Sequence, residues 1–277
     1  MQVMILCGGM GTRLREHTET RPKPMVEVGG VPIVVHIMHM YAAAGFTEFI
    51  LCLGYKGSVI KDYFLNYEAM SRDFTVDLGR PGAIEYHPGG PNRVGWRVTL
   101  ADTGESTMTG GRILRASRYL RPGETFAVTY GDGVADVRLE EVHAFHRRHG
   151  KRATVTGVRP ASRFGEIERD GQGVVREFNE KPHTGQGLIN GGFFFFEHDF
   201  LRYIDEDAGC MLEREPLERC VRDGQLVVYE HDGFWQCMDT FRDWERLEAH
   251  VKSGDAPWLV RSPRLGDGRF KSSAPKP

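Results

Sequence analysis

The residue types best suited to gripping phosphate are concentrated in residues 6–25. These read Leu-Cys-Gly-Gly-Met-Gly-Thr-Arg-Leu-Arg, a short polar stretch, and then Arg-Pro-Lys-Pro-Met. The apolar run before them, Val3-Met4-Ile5-Leu6, stops at Gly8-Gly9. A strand that ends in a glycine-rich turn is where an α/β sheet receives phosphate, because backbone N–H groups approach the anion with no Cβ in the way. The turn is not a P-loop, since no Gly-Lys-Ser/Thr closes it. It is not the dinucleotide fingerprint either, since Leu14 stands where a third glycine belongs. Thr12 and Arg13 instead place a hydroxyl and a planar cation beside the loop, a set suited to a triphosphate tail. Lys23 lies between Pro22 and Pro24, which restrict the backbone and can present its ammonium in a defined place. Taken alone, Gly8, Gly9 and Gly11 suit a plain tight turn equally well; with Thr12, Arg13 and Lys23 at this spacing, phosphate is favoured.

Two aspartates form a second candidate group. Asp132 follows an apolar segment expected to be a strand over 125–129, and Asp239 follows the apolar stretch 234–238. Carboxylates from two strand ends suit Mg²⁺, which takes one or two of them and completes its shell with phosphate oxygens and water. A lone aspartate more commonly caps a helix or shapes a turn, and Asp136 is read as such a cap. His143, His146 and His149 recur every three residues; steps of three drift off one face and no fourth ligand stands out, so they are read as a solvated helical face.

The elements that must position these groups follow from periodicity. A helix is expected over 32–44, with Pro32 in its first turn, Ile33, Ile37, Tyr41 and Ala44 along one face, and Gly45 as its stop. Strands are expected over 49–53, 125–129 and 154–158, and helices over 58–67 and 139–149. Tyr63, Phe64 and Tyr67 suit packing of the second helix on the sheet. Strand and helix alternating at this rhythm predict an α/β fold, a Rossmann-like, mostly parallel mixed sheet flanked by helices. Beyond residue 160 shorter strands are expected (166–168, 174–178, 188–196), with residues 193–196 buried on both sides, followed by helices over 213–222 and 241–253. The expectation is one domain over 1–260, with a nucleotide half (1–160) and a smaller β-rich sugar-facing annex (161–260). A polar, Pro/Gly-rich tail over 261–277 is expected to be flexible.

Bulk properties narrow the class. With 277 residues, 27% charged and 40% hydrophobic, the chain can bury a full core. A formal net charge of −2 argues against nucleic-acid coating and against a polybasic membrane contact. The apolar run at 3–7 is too short for a signal peptide or a membrane span. The five cysteines, Cys7, Cys52, Cys210, Cys220 and Cys237, are odd in number with no C-x-x-C pair, so reduced thiols and a cytoplasmic location are expected.

The opening, G-G-x-G-T-R-L followed by a P-K-P lysine, resembles the signature of sugar-phosphate nucleotidyltransferases. Further segments are Gly54-Tyr55-Lys56-Gly57, Asp102-Thr103-Gly104, Met108-Thr109-Gly110-Gly111-Arg112 and Tyr130-Gly131-Asp132-Gly133-Val134-Ala135-Asp136. Arg163-Phe164-Gly165, Glu180-Lys181-Pro182, Asn190-Gly191-Gly192-Phe193-Phe194 and Phe234-Trp235-Gln236-Cys237-Met238-Asp239-Thr240 continue it. Together they resemble the glucose-1-phosphate cytidylyltransferase family from residue 1 to about 258. Cys237 departs from the pattern, which has proline there.

The resemblance implies transfer of CMP from CTP to α-D-glucose 1-phosphate with Mg²⁺, giving CDP-glucose and pyrophosphate. The alternatives are UTP or dTTP as donor, another phosphorylated acceptor, or a non-catalytic subunit that binds a nucleotide sugar. It implies Arg13 and Lys23 as the catalytic cations. Leu6, Gly8, Gly9, Gly11, Thr12, Thr107, Gly111, Arg112, Gly131 and Asp132 would line the nucleotide side, and a base-reading loop is expected over 102–111, with Glu105 a candidate acceptor for the cytosine amino group. Tyr130, Gly165, Glu180, Lys181, Asn190 and Gly192 would meet the sugar phosphate. Asp132 and Asp239 would hold the metal. The partners are then CTP and a sugar 1-phosphate, in a chain expected to form homo-oligomers.

Overall fold

A computed structural model describes residues 1–9, 11–14, 18–80, 82–87, 95–159, 166–169, 171–172, 174–179 and 187–259. Its centre is a mixed sheet. From one edge, Leu226–His231 pairs parallel to Ala153–Val158, which pairs antiparallel to the split strand Ile189–Asn190 and Phe194–Phe196. Phe194–Phe196 then pairs antiparallel to Phe126–Tyr130, after which Gln2–Cys7, Glu48–Leu53 and Arg97–Asp102 follow in parallel. The α/β reading therefore holds: the sheet is mostly parallel, with one reversed strand in its interior.

Alternation on the strands sorts side chains into two cores, one per face. Val3, Ile5, Phe193 and Phe195 join the helices Ile33–Ala43 and Leu139–His149 on one side. Met4, Leu6, Phe194 and Phe196 face Ile113, Ala116, Phe200 and Leu212 on the other. A strand covered on both faces reads as a continuous apolar run, which is why 3–7 and 194–196 show no polar alternation. All five thiols are unpaired, four of them buried and Cys237 half-buried. Among the described residues no helix is long and apolar enough to cross a membrane.

Several expectations change in detail. Pro32 precedes its helix rather than opening it, and pairs with Glu27 in a two-residue ladder. The expected strand over 188–196 is broken at Gly191–Phe193, where Gly192 and the buried Phe193 both take positive φ, 79° and 51°. The region expected to be a polar loop over 102–111 ends earlier, in the helix Thr109–Ala116; Gly110 and Gly111, poor helix formers, hide its start. The strands Arg97–Asp102 and Leu226–His231 were not anticipated. The histidine face is not solvated: His146 is fully buried, with Nδ1 2.8 Å from Thr154 Oγ1, and the His143 ring stacks on Phe195. Asp136 does not cap the following helix; its carboxylate lies 2.9 Å from His231 Nε2. The expected tail over 261–277 lies outside the described residues.

Candidate active site

The strand Gln2–Cys7 delivers Gly8 and Gly9 to the carboxyl edge of the sheet. Gly8 admits no side chain, because an added Cβ would run into the guanidinium of Arg112. Gly11 turns the chain at φ 60°, and a Cβ there would lie 3.0 Å from Thr18 and 3.1 Å from the Lys23 stem. Its carbonyl accepts from Leu14 N–H at 3.0 Å and from the Thr18 hydroxyl at 3.2 Å, so the turn is closed by its own chain.

Lys23 begins a tight turn, Lys23–Met25, with Pro24 and Met25 buried and Met25 N–H bonded to Pro22 O at 2.8 Å. This anchoring aims Nζ at two carboxylates: it donates to Asp132 Oδ2 at 2.6 Å and to Asp239 Oδ1 at 2.5 Å. Burial alone would push the lysine pKa down, but the two carboxylates outweigh it and hold it above its usual value, so the group stays charged. Arg13, 76% exposed, reaches the other Asp239 oxygen at 3.2 Å.

Each aspartate is fixed by its backbone. Gly131 N–H donates to Leu6 O at 3.1 Å, and a Cβ on Gly131 would lie 2.8 Å from that oxygen, so the turn after Phe126–Tyr130 can close this tightly only with glycine. The Asp132 carbonyl then accepts from Met238 N–H at 2.9 Å, which brings the two carboxylate-bearing turns together. Asp239 N–H donates to Asp243, whose carboxylate also closes a capping box with Thr240 at the start of the helix Phe241–Ser253. Cys237 shares this neighbourhood; burial, then Asp132 and Asp239, push its thiol up to about 12, so it is a neutral neighbour.

The expected nucleotide-side residues lie together beyond the glycine turn. Arg112 is buried, and its guanidinium donates to Leu53 O, Thr103 Oγ1, Gly104 O, Gly8 O and Glu105 O at 2.7–3.1 Å. It therefore binds together the ends of three parallel strands, and a Cβ on Gly54 would also strike it. Thr107 is buried and accepts from Arg115 at 2.8 Å. Gly111 lies in the helix, packed beneath Asp207 O.

Among the residues expected to meet the sugar phosphate, Asn190 Nδ2 donates to the Tyr130 hydroxyl at 3.1 Å, and Gly192 N–H donates to Asn190 Oδ1 at 2.9 Å. Gly165, Glu180 and Lys181 lie outside the described residues, as does the side chain of Thr12. Sequence reasoning missed Glu213, which binds Tyr130, and Arg115, which holds Thr107 and Thr103. Neither sits in a motif. Asp243 did carry a signal, the Thr-x-x-Asp spacing of a capping box.

The cluster can hold a cation and polarise phosphate. Its four charges cancel, two cations against two carboxylates, so phosphates entering it bring negative charge that the protein alone does not balance. Asp132 and Asp239, brought close enough to share one ammonium, are hard oxygen donors of the kind a divalent cation takes.

Residues 2–252 match the family described as Nucleotidyl transferase. The glucose-1-phosphate cytidylyltransferase of Salmonella typhimurium is 48% identical over 260 residues, covering 93% of this chain and 98% of its own. A mannose-1-phosphate guanyltransferase of Neurospora crassa is 30% identical over 250 residues, covering 88% of this chain and 62% of its own. Among solved structures, HddC from Yersinia pseudotuberculosis superposes with a TM-score of 0.63 at 23% identity, over 90% of this chain and 98% of its own, a likeness of fold.

Proposed function

The chain belongs to the nucleotidyl transferase family, and from that premise we propose that it moves CMP from CTP to α-D-glucose 1-phosphate, giving CDP-glucose and pyrophosphate. The observation that carries the reading is the meeting of Lys23, Asp132 and Asp239 beside the glycine turn, in a chain 48% identical to a cytidylyltransferase.

The reaction is in-line attack by a sugar-phosphate oxygen on the α-phosphorus, with the bond to pyrophosphate breaking opposite. Two anions must be brought together while charge builds on the leaving group, so cations and positioning matter more than proton transfer. Lys23, held in place by two carboxylates, faces the transferring phosphoryl. Arg13, more exposed, follows the leaving pyrophosphate. Gly8, Gly9 and Gly11 give the phosphates close approach to backbone N–H groups, and Arg112 keeps the neighbouring loop in shape by donating to the oxygens of Gly8, Leu53, Thr103, Gly104 and Glu105. Asp132 and Asp239 would hold Mg²⁺, whose contribution when bound is to offset phosphate charge. Lys181 is proposed to meet the sugar phosphate, with Glu180, Asn190 and Tyr130 on the hydroxyls and Gly165 and Gly192 giving close approach. Self-association belongs to the same proposal, supported by the exposed apolar side chains of Leu65, Met70 and Leu78.

The test is pyrophosphate release from purified protein with Mg²⁺ and glucose 1-phosphate, comparing CTP, UTP, dTTP, ATP and GTP. Release with CTP alone, or strongly preferred, is expected. Preference for another nucleotide overturns the base assignment and leaves the reaction class. Silence with all five overturns the acceptor or the enzymatic role, and nucleotide-binding calorimetry separates those two.

A further inference from the structure

Away from the Lys23 cluster, one carboxylate joins the expected nucleotide side to the expected sugar side. Glu213 lies two residues before the helix Glu215–Arg222, half-buried. Its Oε2 accepts from the Thr109 hydroxyl at 2.6 Å and its Oε1 from the Tyr130 hydroxyl at 2.6 Å.

Thr109 opens the helix that carries Gly111 and Arg112. The chain leading to Glu213 is laid directly on that helix: Met108 N–H donates to Ala208 O at 2.7 Å, Gly111 N–H to Cys210 O at 3.1 Å, and Leu212 N–H to Thr109 Oγ1 at 2.9 Å. A Cβ on Gly110 would lie 3.0 Å from Cys210 O, and one on Gly111 would lie 2.8 Å from Asp207 O. The helix start and the segment up to Glu213 therefore shift as one piece. On the other side Tyr130 receives Asn190 at 3.1 Å, and Asn190 in turn fixes Gly192.

The polarity of this chain of bonds is set by the carboxylate. An ionised glutamate only accepts, so both hydroxyls must donate to it, and the Tyr130 oxygen is left to accept from Asn190.

We infer that Glu213 is a positioning residue that ties the start of the nucleotide-side helix to the Tyr130–Asn190 pair, so that each substrate's site sets the other's geometry. The inference rests on the CTP and glucose 1-phosphate reading above. The test measures KM for glucose 1-phosphate at saturating CTP in wild type, T109V, E213A, E213Q and the double variant T109V/E213A, with melting temperatures for each. Thr109 lies on the nucleotide side, yet T109V should raise the glucose 1-phosphate KM about fivefold, and E213A about tenfold or more. The double variant should be no worse than E213A, because both substitutions cut the same tie. E213Q, which keeps one acceptor and the side chain's shape, should recover part of the loss. A T109V enzyme with wild-type KM for glucose 1-phosphate, or a double variant whose effects add in full, overturns the tie. Wild type that makes no product from CTP and glucose 1-phosphate overturns the function and this inference with it; an active wild type with E213A unchanged overturns the tie alone.

Discussion

Asp132 and Asp239, carried on separate turns, converge on a single ammonium: Lys23 Nζ lies 2.6 Å from one and 2.5 Å from the other. Their side chains remain 26% and 30% exposed, so the carboxylates stay open to solvent while the lysine between them is 12% exposed. The lysine holds the carboxylates together and, in the proposed reaction, also faces phosphate.

Lys23→Ala should keep the fold and lower turnover by about 100-fold or more, the scale on which removal of one preorganised donor acts. It should also leave two carboxylates facing each other. Its melting temperature at low salt should then fall in the absence of divalent cations and recover with Mg²⁺ by more than wild type does. Near-normal turnover would refute the catalytic assignment, and an equal Mg²⁺ response in both proteins would count against the shared cation site.

Asp132→Asn and Asp239→Asn should each raise the Mg²⁺ concentration needed for half-maximal rate by about tenfold or more, and chelation by EDTA should stop wild-type turnover reversibly. Titration of rate against Mg²⁺ reads this directly. Unchanged curves in both variants would remove these residues from the metal site.

Gly111→Ala should cost about 1–3 kcal/mol, since the new Cβ would press on backbone, Asp207 O at 2.8 Å, that cannot swing away. Gly8→Ala meets a side chain instead, the Arg112 guanidinium, but that group is pinned by its bonds to the strand ends. Displacing it should raise the KM for CTP more than it lowers stability. Urea midpoints and CTP kinetics on the two variants check this; a Gly8→Ala enzyme with wild-type KM would detach Arg112 from nucleotide binding.

Stability should decline as pH falls from about 6.5 to about 4. His36, His39 and His146 have pKa values pushed down from 6.5 to about 4, by burial first and then, for His39, by the adjacent His36 and, for His146, by the adjacent His149, His143 and Arg147. His36 shows why: Trp258 N–H can only donate to Nδ1, at 3.3 Å, so Nε2 carries the proton it gives to Val28 O at 2.8 Å. A second proton would set two donors against each other. In that window the unfolded chain binds protons the folded chain refuses; well above pH 6.5 both states are neutral and these groups add no pH dependence. Denaturant midpoints at pH 7.5, 6.5 and 5.5 should fall slightly across the first step and more steeply across the second. No drop would mean the buried histidines are not held neutral.

Local pattern and motif determined a great deal here. The runs 3–7 and 194–196, the helices Leu139–His149 and Phe241–Ser253, and the phosphate-suited set from Gly8 to Lys23 were legible because each depends on residues close in the chain: apolar continuity, a C-terminal glycine, prolines around a lysine. The fold class followed from their order. What the tertiary structure decided is which groups share a point. That Lys23 bonds both aspartates, that Arg112 turns inward to carbonyls, and that Glu213 joins Thr109 to Tyr130 depend on strand order and on the close approach of segments far apart in sequence. The break at Gly191–Phe193 and the burial of His146 belong to the same class, because a strand's partner and a helix's covered face are set by what packs against them. Periodicity records that a residue has an inside; only the folded chain supplies the neighbour that gives it a charge, a bond and a task.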